Sequence, residues 1–143
     1  MNHFQRLEQM YSAAPIHEFY EGITLKVSEA STEISLNIDR RYHHAGNFVH
    51  GSVYFKMLDD AGYFACQSVV TDLFLVTSSF NVHLLRPIFT GVIVAKGKVE
   101  HQSQNLYTAS AQLFDETGKL LGSGQGQFLK SKMRLGDVKD YAN

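Results

Sequence analysis

Phe4, Leu7, Met10 and Tyr11 recur three and four positions apart, the spacing of one helix face, so residues 3–12 are predicted as a short amphipathic helix. Ala13-Ala14-Pro15 ends it, since proline lacks the N–H that a helix interior needs. Two strands follow, over about 22–27 and 32–39. The second alternates clearly, with Ile34, Leu36 and Ile38 on one face and Glu33, Ser35 and Asn37 on the other. Arg40 to Val49, rich in His, Gly and Asn, fits neither period and reads as a loop. From about His50 to Val70 a long helix returns. Its apolar residues (Val53, Met57, Leu58, Ala61, Phe64, Ala65, Val69) suit a wrapped core helix better than a surface one.

The rest of the chain reads as strand. Segments 74–87, 91–101, 105–115 and 119–130 are β-rich, separated by Thr90-Gly91, Gln102-Ser103-Gln104 and Glu116-Thr117-Gly118. Tyr107, Ala109, Ala111 and Leu113 share one strand face, and Gly122, Gly124, Gly126 and Phe128 another. Such small side chains leave room for something bulky, and the long helix is the natural occupant. The polar tail, residues 131–143, is expected to be loosely ordered. One α+β domain over residues 1–143 follows, an antiparallel sheet around a single long helix.

Composition narrows the field. With 143 residues, 44% hydrophobic and 19% charged, the chain can bury a real core. A net charge of −1 gives no electrostatic argument for nucleic acid or for an anionic membrane as partner. The single cysteine, Cys66, allows no internal disulfide and suits a reducing compartment. No run has the length of a membrane-spanning helix and the first residues are polar, so a cytoplasmic protein is expected.

Candidate chemistry gathers on the long helix. His50-Gly51 opens it, and a first helical turn carries N–H groups without intrahelical partners that can hold an oxyanion. Asp59, set among Met57, Leu58 and Ala61, is a carboxylate in apolar company, costly unless paired or used. Nine residues of helix rise roughly 13 Å over about two and a half turns. Gly51 and Asp59 of one chain therefore cannot meet at one small carbonyl, and if both act on one substrate a second copy must supply one of them.

The order of elements, with His50-Gly51-Ser52 followed by Met57-Leu58-Asp59-Asp60-Ala61, resembles the PaaI-type hot-dog-fold acyl-CoA thioesterases. The likeness continues through Ser79-Phe80-Asn81-Val82-His83-Leu84-Leu85-Arg86-Pro87 with Gly91, and through Asp115-Glu116-Thr117-Gly118-Lys119-Leu120-Leu121, covering roughly residues 40–130. The resemblance implies a sheet wrapped around the helix and hydrolysis of an acyl or aryl-acyl CoA thioester without a cofactor. It implies a homodimer or homotetramer whose active sites are shared between chains. Asp59 would be general base or nucleophile, Gly51 N–H of the other chain would polarise the carbonyl, and Thr77 would place the water. His50 and His44 would position the reactants. Phe48, Val49, Tyr54, Phe55 and Leu58 would line the acyl pocket, with Ser52 at its entrance. Two positions depart from the family's pattern: Ser52 replaces a second glycine, and His44 stands where Asn or Gln is usual.

Other readings of the same residues are weaker. His43, His44, His50, His83 and His101 lack the short regular spacing of a zinc site, so no metal is expected. Gly122-Ser123-Gly124-Gln125-Gly126 runs into more strand, so no helix N-terminus awaits a phosphate. Cys66 reads as core. Arg86, Lys96, Lys98, Lys130 and Lys132 are candidates to face the anionic CoA. The rival functions are a non-hydrolytic protein that binds acyl-CoA or acyl-carrier thioesters, and a dehydratase, whose own His and acidic motif is absent from this sequence.

Overall fold

The computed structural model describes residues 1–143. Helix α1 (His3–Ala13) starts at a reciprocal cap: the Asn2 side chain accepts from Gln5 N–H while the Gln5 side chain accepts from Asn2 N–H. It buries Leu7, Met10 and Tyr11, the stripe its spacing predicts. A short 3₁₀ turn, Pro15–Glu18, leads into β1 (Thr24–Ser28) and β2 (Ser31–Asn37). Helix α2 (Gly51–Ser68) follows the loop, and then come β3 (Leu73–Leu84), β4 (Val92–Gln102), β5 (Leu106–Phe114) and β6 (Leu120–Arg134).

The six strands make one antiparallel sheet in the order β1-β2-β4-β5-β6-β3, curled around α2. Met57, Leu58, Ala61, Ala65 and Cys66 on α2 have no solvent exposure, which is why the helix sequence lacks a wide polar face. Its closest approach to the sheet is at β4. A Cβ on Gly97 would collide with the Ala61 carbonyl, which also accepts a 2.6 Å hydrogen bond from Thr32 Oγ1.

Gly122 of β6 lies against Tyr54 and Leu58 of α2, the neighbour its smallness predicts, but the next two glycines serve a different one. Phe80 of β3 lies over Gly124 and Gly126, and a Cβ at either position would strike its ring. The small residues accommodate an aromatic side chain wedged between sheet and helix, where it also meets Gly62 of α2.

Residues 131–143, expected as a loose tail, extend β6 to Arg134 and end in a short helix, α3 (Lys139–Ala142). The Arg6 guanidinium donates to Tyr141 O and Ala142 O, and His3 Nδ1 pairs with Tyr141 Oη at 2.7 Å. Polar side chains of α1 thus hold the tail, largely through its backbone carbonyls, contacts that a local hydropathy pattern does not reveal. No helix is long and apolar enough to cross a membrane.

Candidate active site

The loop before α2 is held by its backbone. His44 N–H donates to Phe48 O and Asn47 N–H to His44 O, a tight turn that places Asn47 at φ 67°. Asparagine tolerates that left-handed conformation better than most side chains. Val49 N–H donates to Ile88 O, tying the loop to the segment after β3, and His50 N–H donates to Tyr42 O, closing the loop on itself.

At the start of α2 the N–H groups are divided unevenly. His50 Nδ1 accepts from Ser52 N–H at 3.0 Å and lies 2.8 Å from Ser52 Oγ, so this histidine caps the helix. Val53 N–H goes to His50 O. Gly51 N–H donates to no group of the chain. It borders a groove of about 380 Å³ lined by His44, Phe48, Val49, Tyr54 and the Leu84–Pro87 segment. The Tyr54 hydroxyl donates to Arg86 O, fixing that segment against α2. His44 Nδ1 accepts from Gly46 N–H at 2.9 Å, which leaves the proton of a neutral ring on Nε2.

Asp59 lies further along α2 and is not part of this groove. Its Oδ1 accepts from Thr77 Oγ1 at 3.1 Å. Burial, and then the charge of Asp60, push its carboxyl from 3.8 up to about 6, against the opposing effects of the Thr77 hydrogen bond and Lys56. The hydroxyl reaches it because β3 bulges between Thr77 and Ser79. Before the bulge Leu75 and Thr77 face the helix; beyond it Phe80 and Val82 do, a change of parity that one extra residue causes.

The neighbouring carboxylate is placed differently. Asp60 Oδ2 accepts from Lys56 Nζ at 2.6 Å and from Tyr11 Oη at 2.7 Å, on the side of α2 that α1 covers. Asp60 has two donors, one of them charged, whereas Asp59 has one neutral hydroxyl.

Of the residues named from sequence, His44, Phe48, Val49, Gly51, Tyr54 and Arg86 share the groove, and Asp59 meets Thr77 elsewhere. Leu58 does not line a pocket: it has no exposure and packs in the core. Phe55 is 44% exposed and packs its edge on Phe80, away from the groove. Ser52 completes the cap. Cys66 is buried, which pushes its thiol up to about 12. Lys96 and Lys98 lie on the sheet face turned away from α2, in a wide polar hollow with Glu100, and Lys130 pairs with Asp72 at 3.6 Å. Sequence reasoning missed Leu84, Leu85 and Pro87 as a groove wall. The only local signal was adjacent leucines, 52% and 54% exposed here, that break strand alternation before Arg86-Pro87.

A family model described as the thioesterase superfamily matches residues 46–121, which span the whole of α2 and the strands as far as the start of β6. The chain belongs to the thioesterase superfamily. Its fold is the hot-dog fold. The solved structure of the Escherichia coli PaaI protein, from the phenylacetic acid degradation operon, superposes with a TM-score of 0.82 at 21% identity, covering 91% of this chain and 94% of that one. A thioesterase from Haemophilus influenzae gives 0.78 at 19% identity, with 90% of each chain covered. At these identities the structural likeness concerns the fold. A relative from Saccharolobus solfataricus, whose name gives esterase as an inferred activity, is 20% identical over 131 residues, 90% of this chain and 94% of its own.

Proposed function

We propose that this member of the thioesterase superfamily hydrolyses an acyl or aryl-acyl CoA thioester to the free acid and CoA, at sites shared between two copies of the chain. The observation that carries the reading is the unpartnered Gly51 N–H at the head of an apolar groove, on the same helix as a carboxyl raised to about 6. A carboxyl in that range is ionised at neutral pH and still a competent proton acceptor. Asp59 takes a proton from water, the oxygen attacks the thioester carbon, and the oxyanion is held by Gly51 N–H of the second copy. Collapse expels the CoA thiolate, which takes the proton that Asp59 accepted from water and so restores the carboxylate. Thr77 orients the Asp59 carboxylate, and His44 offers Nε2–H at the groove wall. Asp59 attacking the carbonyl directly uses the same groups.

The test is thiol release from a panel of short, long and aromatic acyl-CoAs by purified protein. Turnover on at least one class, lost in Asp59→Asn, is expected. Tight binding without hydrolysis across the panel would replace this reading by a thioester-binding protein.

A further inference from the structure

Lys56 has an unusual enclosure for a helix lysine. Its ammonium lies 2.6 Å from Asp60 Oδ2 and 2.9 Å from His17 Nε2, and 5.3 Å from the ring centroids of both Tyr11 and Tyr20. Its side chain keeps only 13% of its exposure. The walls come from α1, from the 3₁₀ turn Pro15–Glu18 and from the residue Tyr20 just beyond. His17 Nδ1 donates to Tyr11 O, so its Nε2 faces the ammonium as an acceptor. Burial and the nearby Lys56 both depress His17, in keeping with a neutral ring. Two aromatic faces, a neutral imidazole and a carboxylate make a cage for one cation.

What the cage encloses is the counter-charge of Asp60, and Asp60 adjoins Asp59. Two neighbouring carboxylates in a poorly solvated setting oppose each other's ionisation. We propose that Lys56, held by the N-terminal segment, is a positioning residue that partly offsets the charge of Asp60 beneath α1, which eases the ionisation of Asp59 and leaves it the carboxylate available to accept a proton. The groups facing Asp59 are Lys56, Asp60 and Tyr63 of α2, Tyr11 of α1 and Thr77 of β3. Among them Lys56 carries the positive charge. The arrangement also gives α1 a function: it shields the ion pair from water, where screening would weaken it. The proposal rests on Asp59 being the working carboxylate of the reading above.

The experiment follows the Asp59 carboxyl carbon by ¹³C NMR through a pH titration of the full-length protein, assigned by its absence in Asp59→Asn. Lys56→Met raises the midpoint and Asp60→Asn lowers it, each by about half to one unit, while Lys56→Arg stays near wild type. The acid limb of kcat/KM moves with the NMR midpoint, which a purely structural role for Lys56 would not produce. Shifts in the same direction for both variants, or midpoints unchanged in both folded variants, overturn the proposal. If Lys56→Met does not fold, the isosteric Asp60→Asn decides alone: a fall supports it and no change refutes it. Midpoints that move as expected in a protein that hydrolyses no thioester refute the thioesterase reading and leave the charge arrangement standing.

Discussion

The two ends of the chemistry on α2 are built on opposite principles. At the N-terminus the candidate group is backbone: Gly51 N–H is left over after His50 has taken Ser52 N–H and Val53 N–H, and the walls around it are mostly apolar or aromatic, with Arg86 among them. Eight residues on, the candidate group is a side chain whose charge is made costly by burial and by a second carboxylate. The first region waits for negative charge, and the second is reluctant to hold it. Placed against each other across a two-fold axis they would be complementary, a donor for the oxyanion facing a base for the water.

The hardest blow to this contrast is Asp59→Asn, for which turnover on an acyl-CoA substrate should fall by at least about a hundredfold. Asp60→Asn should cost much less, because Asp60 is already committed to Lys56 and Tyr11. Comparable losses in the two variants would erase the distinction between them.

Gly51→Val attacks the other region. A Cβ there meets only Leu84 Cδ2, at 3.1 Å, so the fold should survive while the groove is narrowed. Each of Gly51→Val and Asp59→Asn should be inactive alone. After subunit exchange a mixture should recover roughly a quarter of wild-type activity, since each heterodimer would hold one intact site. Exchange verified by tags without recovery would sink the shared site.

His44 is a finer probe of the groove. His44→Asn should retain substantial activity by preserving a hydrogen-bond donor, while His44→Ala should lose about tenfold in kcat/KM. A harmless alanine would remove His44 from the site.

The smallest effect is on stability. Asp59 titrates near 6 when folded against an ordinary 3.8, so between those values the folded state keeps a proton that the unfolded chain has released. Stability therefore falls as pH rises through that window and stays lower above it. Allowing for partial solvent screening, Asp59→Asn should stabilise the protein by about 1–2 kcal/mol at pH 7 and hardly at all near pH 4. Denaturant unfolding at the two pH values measures it, and a variant no more stable at pH 7 than wild type would show that Asp59 carries no such cost.

Most of the fold was legible because its signals are periodic. The stripe of α1, the alternation of β2 and the largely apolar run of α2 each state which residues are buried, and most of those residues are buried. Gly124 and Gly126 of β6 show the limit of such reading. Their smallness predicted a close neighbour, but Phe80 arrives from a strand about forty positions earlier, next to β6 only through sheet order. The tail failed differently, since hydrogen bonds from Arg6 and His3 to its last residues leave no trace in hydropathy.

For the candidate site, the sequence by itself determined the chemical groups: a glycine opening a helix, a carboxylate among apolar residues, and a spacing that keeps them apart on one chain. Those depend on residue identity and helical rise, both local. Tertiary structure decided which of two adjacent carboxylates is free. Lys56 and Tyr11 converge on Asp60 because α1 packs against that side of α2, while Thr77 reaches Asp59 because a bulge turns β3. Both are matters of packing between segments distant in the chain, where the cost of desolvating a charge is set by what lies opposite it rather than by its neighbours in sequence.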